Sequence, residues 1–64
     1  MVTYSSVFRN QNITQKNEDV EINCDVPYGV KIKITNGNLI IRGNVSEGVQ
    51  IIVKNEPKIP IYLV

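Results

Sequence analysis

The chain has 64 residues, seven basic and six acidic, with a single cysteine and no histidine. A chain of this size forms one domain at most and buries only about 60% of its unfolded surface, so it needs a staple. The lone cysteine excludes an internal disulfide, the missing histidine removes the common zinc sets, and a net charge of +1 is not the basic footprint of a nucleic-acid binder.

Residues 1–19 form a polar, Asn- and Gln-rich, poorly patterned N-terminal segment. Val2 and Tyr4 alternate as in a short strand, while 10–17 reads as a loop or an imperfect first coil. From Val20 the alternation becomes regular: Val20, Ile22, Cys24 and Val26 are interleaved with Glu21, Asn23 and Asp25, the period of a strand with one buried face. A turn at Pro27-Tyr28-Gly29 is followed by Val30, Ile32 and Ile34 alternating with Lys31 and Lys33. Asn36-Gly37 makes a second turn, and Leu39, Ile41, Gly43 and Val45 follow. After Ser46-Glu47-Gly48 the pattern resumes with Val49, Ile51 and Val53, and after a break at 55–57 it ends in an alternating terminal strand, 58–64. Helical periodicity is absent and β-branched residues dominate. The longest apolar runs, such as Ile61 to Val64, fall far short of the ~20 residues that span a bilayer. With no signal-peptide layout at the N-terminus either, the expectation is a soluble, cytoplasmic protein without a membrane span.

Sliding the chain against itself by 19 residues lays 20–38 over 39–57. Ile22 meets Ile41, Val26 meets Val45, Gly29 meets Gly48, Ile32 meets Ile51 and Asn36 meets Asn55. Alternation alone aligns apolar positions, but it does not also align a glycine and an asparagine. The repeat implies a single all-β domain over 1–64, built as a short β-solenoid of about two to three coils, with like residues stacked on like. An antiparallel β-meander or small barrel is the alternative, because Asn36-Gly37 is a favoured hairpin turn that would pair Ile34 with Leu39 and Ile32 with Ile41.

The stretch Gly37-Asn-Leu-Ile-Ile-Arg-Gly-Asn-Val-Ser-Glu-Gly-Val-Gln-Ile-Ile-Val-Lys54 resembles one coil of the polymer-forming β-helix proteins, the bactofilins and FapA-type domains. The likeness extends over 20–55. It implies a scaffold or oligomerisation module without catalysis.

The residues themselves offer little chemistry. Cys24 alternates with Ile22 and Val26, so it reads as a small core residue, and no histidine is present to activate it. Glu18, Asp19, Glu21 and Asp25 form an acidic cluster without calcium-loop spacing, which reads as a solvated face. No cofactor, metal or catalytic residue is expected. Lys31 and Lys33, with Arg42, form a candidate surface for an anionic ligand such as a nucleic acid, glycan or lipid headgroup. Strand lysines more commonly discourage edge pairing, and the scarcity of aromatics gives nucleic-acid bases little to stack on. The oddest outward positions are Ile40 and Ile52, which replace Glu21 and Lys33 of the preceding repeat. They are either covered by Tyr4, Val7 or Phe8 or left free as a contact surface. The favoured function is therefore self-association, with itself or another protein chain as partner, carried by Ile40, Ile52, Ile59, Ile61 and Leu63.

Overall fold

The computed structural model describes residues 1–55. Within them lie six strands and no helix: β1 (Val2–Tyr4), β2 (Asn12–Lys16), β3 (Val20–Ile22), β4 (Lys31–Thr35), β5 (Leu39–Ile41) and β6 (Gln50–Lys54). Two three-stranded sheets result, ordered β1-β3-β5 and β2-β4-β6, and every strand pair is parallel. Successive strands thus alternate between sheets, and each pairs with the strand two positions on. A separate contact line, the isolated parallel bridge Val26↔Val45, joins the two later repeats.

The register follows the sequence repeat. Ile32 lies against Ile51, Ile34 against Val53, Val20 against Leu39 and Ile22 against Ile41. The antiparallel alternative is therefore corrected: Ile32 pairs with Ile51 and not with Ile41, and neither sheet closes into a barrel. The reason is visible at Asn36, whose φ of 56° turns the chain from one sheet to the other instead of back along itself. A hairpin would have left one apolar sheet face uncovered. The corner instead sends the chain across to the facing sheet and leaves Ile34 fully buried.

The N-terminal segment is also better ordered than its composition suggests. It supplies β1 and β2, which pair with β3 and β4. Val2↔Val20 and Tyr4↔Ile22 are 18 residues apart, whereas Asn12↔Lys31 and Ile13↔Ile32 are 19 apart. One residue is missing between β1 and β2, so a single 19-residue offset does not align both halves of the first repeat.

Corners repeat along with strands. Asn10, Gly29 and Gly48 occupy one corner with φ of 62°, 78° and 78°, and Asn17 and Asn36 occupy another with φ of 59° and 56°. Glycine and asparagine are the residues that tolerate this left-handed region. The Asn36 side-chain amide donates to Asn17 Oδ1 at 3.2 Å, so this corner also carries a side-chain rung.

The core lies between the sheets and consists of Ile13, Val20, Ile22, Val26, Val30, Ile32 and Ile34, all at most 1% exposed. Tyr4, Val7, Cys24, Leu39, Ile41 and Val49 pack against it. Repeats approach one another so closely that a Cβ on Gly37 would lie 1.9 Å from the Glu18 carbonyl oxygen, a backbone atom that cannot swing aside. Gly37→Ala should therefore destabilise the fold by about 2 kcal/mol or more, read as a lowered urea midpoint.

Candidate functional site

Two surfaces are left after the core is built. The first is the third repeat. The column Ile13–Ile32–Ile51 runs through β2, β4 and β6, and its exposures are 1%, 1% and 43%. Val45 and Val53, stacked on the fully buried Val26 and Ile34, are likewise 48% and 44% exposed. Inward-facing positions that are dry in the second repeat are thus half wet in the third. β5 pairs only with β3 and β6 only with β4 among the described residues, leaving one backbone edge of each open.

At the opposite end β1 and β2 are edge strands too, but their inward positions are not all aliphatic. Tyr4 stands in the column of Ile22 and Ile41, and Gln15 in the column of Ile34 and Val53. These two inward positions come from facing sheets, and Gln15 Nε2 donates to the Tyr4 hydroxyl at 3.0 Å. The pair forms a polar bridge across the end of the core. On the same edge strand as Gln15, Ile13 is 1% exposed. Neither residue stood out in the sequence, although each is the polar member of an otherwise aliphatic column.

Of the residues expected to carry association, Ile40 and Ile52 are 41% and 46% exposed. The N-terminal segment does not cover them: Tyr4 and Val7 pack on the core, and Phe8 is itself exposed. Their register partners are Glu21 and Lys33, as the repeat implies. They do not form one patch, because Ile40 is on β5 and Ile52 on β6, in different sheets. Ile59, Ile61 and Leu63 lie outside the described residues.

The second surface is the outer face of β2-β4-β6, where Lys31 and Lys33 border a cavity of about 260 Å³. Arg42 does not join them. It follows β5 in the other sheet and lies 3.7 Å from the Glu21 carboxylate. Lys31 and Lys33 are also on the central strand, so a role in guarding an edge does not apply to them.

The acidic cluster proves structural rather than merely solvated. Asp19 Oδ1 accepts the Asn38 N–H at 2.9 Å and Asp25 Oδ1 accepts the Asn44 N–H at 2.8 Å. Both bonds link a side chain to the equivalent position of the next repeat. Glu18 pairs with the amino terminus and Glu21 with Arg42. Among the described residues no three His, Cys, Asp or Glu side chains gather to hold a metal ion. Cys24 is a partly buried free thiol packed against the core. No described helix is long and apolar enough to cross a membrane.

Comparison with known proteins finds no matching family model, no matching curated protein and no matching solved structure.

A carboxylate accepting a backbone N–H contributes about 1–3 kcal/mol. Asp25→Ala should lower stability by that order, whereas Asp25→Asn keeps an acceptor oxygen and should lose less. Urea unfolding of the two variants beside the parent checks the difference.

Proposed function

We propose that this chain is a short β-solenoid of three coils that serves as a non-catalytic self-association module, and that it pairs through the open end of its third coil. The observation that supports this most is the contrast between the two ends: Ile13 is 1% exposed in the repeat that carries the Tyr4–Gln15 hydrogen bond, and Ile51 is 43% exposed in the same column. Solenoid ends need polar caps, and among the described residues only the first repeat supplies a polar pair across its core positions.

The occupant we favour is a second copy of the same chain. Fully burying an aliphatic side chain stabilises by roughly 1.5–3 kcal/mol, so three side chains left nearly half exposed forgo roughly 3 kcal/mol per copy. Joining two such ends recovers twice that, about 6 kcal/mol, and also satisfies the free edges of β5 and β6. Association itself costs an estimated 4–15 kcal/mol, so burial alone leaves at most about 2 kcal/mol net, and the paired edges of β5 and β6, at about 0.5–1.5 kcal/mol per hydrogen bond, must supply the rest; the expected affinity is weak, in the high-micromolar to millimolar range.

In the first repeat the inward residues Tyr4, Ile13 and Gln15 are not among the exposed large apolar side chains, so its core columns offer the open end little apolar surface. Head-to-tail growth into a filament is therefore disfavoured, and an isologous two-fold dimer is the assembly that uses the open end and stops. The resemblance to bactofilin coils supports a scaffolding role, with the closed first coil setting this chain apart as a terminating unit. A reducing, cytoplasmic setting suits the single free thiol of Cys24.

Sedimentation of the full 64-residue chain from micromolar to millimolar concentration tests the reading. A monomer–dimer equilibrium that ends at the dimer is expected, and Ile51→Lys with Val53→Lys should weaken it at least about tenfold, for the loss of roughly 1.4 kcal/mol or more of interface. A monomer at every concentration with an intact β signal would overturn the proposal. Open-ended growth would overturn the closed dimer.

A further inference from the structure

The outer face of the β2-β4-β6 sheet carries charge that the fold does not use. Read across the register, its outward rows are Asn12, Lys31 and Gln50, then Thr14, Lys33 and Ile52, then Lys16, Thr35 and Lys54. These three strands contain four lysines and no carboxylate. The acidic groups of the strand β3 region are engaged elsewhere: Asp19 and Asp25 hold backbone N–H groups, while Glu18 and Glu21 hold the amino terminus and Arg42. Among the described residues no carboxylate forms an ion pair with any of the four lysines. A chain of net charge +1 thus shows a one-signed face.

The spacing is set by the sheet. Lys31 and Lys33 are two residues apart on β4, about 6.6 Å along the strand, and Lys16 and Lys54 flank Thr35 about 9.6 Å apart across two strand spacings. Around Lys31 and Lys33 the cavity of about 260 Å³ is bordered by Asn12, Thr14, Gln50 and Ile52. Amides and a hydroxyl can donate to and accept from sugar hydroxyls. Ammonium groups are strongly hydrated point charges suited to carboxylate or sulfate, and Ile52 offers an apolar contact to the C–H face of a ring.

We propose that this face binds a linear anionic polysaccharide, with Lys31 and Lys33 contacting its charged groups and Asn12, Thr14 and Gln50 its hydroxyls. Nucleic acid fits less well. The three strands contain no aromatic residue on which a base could stack and no arginine to fork onto a phosphate. This face shares β6 with the open end of the third coil but uses its outward side chains, where the dimer uses its free edge and the inward Ile51 and Val53, so the lysine variants and the Ile51 and Val53 variants test the two proposals independently.

Binding of the full chain to four labelled probes decides it: oligogalacturonate, dextran sulfate, uncharged dextran and a short DNA duplex. Saturable binding to the carboxylated or the sulfated oligosaccharide, weakening as salt rises, is expected, and comparison of the two identifies the charged group. Replacing both lysines, Lys31→Glu with Lys33→Glu, should weaken it at least about tenfold. Arg42→Ala, in the other sheet, should leave it unchanged. If the glutamate pair loses its β signal, the charge-neutral pair Lys31→Gln with Lys33→Gln gives the answer instead. Equal binding of uncharged dextran, tighter binding of the DNA duplex, indifference to the lysine variants, or no binding at all would each overturn the proposal.

Discussion

The whole structure depends on backbone hydrogen bonds made between repeats. Strand partners are 18 or 19 residues away, and the corner bonds obey the same rule: Asn17 N–H donates to the Thr35 carbonyl at 2.8 Å, Asn36 to Lys54 at 2.7 Å and Val26 to Asn44 at 2.8 Å. A single repeat has almost nothing within itself to bond to. Every buried N–H and C=O must find a partner, so each repeat is satisfied only by its neighbours. Close stacking follows, and so does the demand for glycine at position 37, where the carbonyl of Glu18 occupies the space a side chain would need.

The same constraint makes the two ends the most informative parts of the molecule. Between repeats, Asp19 and Asp25 reinforce the ladder by taking N–H groups from the next layer. At the first repeat, Gln15 donates a hydrogen bond to Tyr4, so two inward positions end in a polar pair in place of aliphatic side chains. At the third, Val45, Ile51 and Val53 continue the core columns yet are nearly half exposed. For a small domain whose total stability is about 5 kcal/mol, roughly 3 kcal/mol of forgone burial is a large fraction, which is why we place the function at that end.

Much of this was legible in the sequence, for a physical reason. Parallel in-register stacking puts like residues on like, so Ile32 over Ile51 and Gly29 over Gly48 were readable as a 19-residue offset. The first repeat was not, because one missing residue between Tyr4 and Asn12 shifts its two halves relative to each other. The hairpin potential of Asn36-Gly37 could not be separated from a corner by local chemistry, since both want a left-handed asparagine. The structural roles of Asp19 and Asp25 were hidden because a carboxylate that holds a neighbouring backbone looks, in one dimension, like one facing water. The lysine surface was half readable: Lys31 and Lys33 share a face, but Arg42 belongs to the other sheet.

Stacking in parallel register is the claim on which both proposed surfaces rest, since it decides which side chains share a face and which end is open. Methyl–methyl NOEs in the isoleucine-labelled chain test it directly. The account predicts contacts from Ile32 to both Ile13 and Ile51, the neighbours above and below it in one column. A strong Ile32–Ile41 contact in place of these would mean a hairpin at Asn36-Gly37 and would contradict the account.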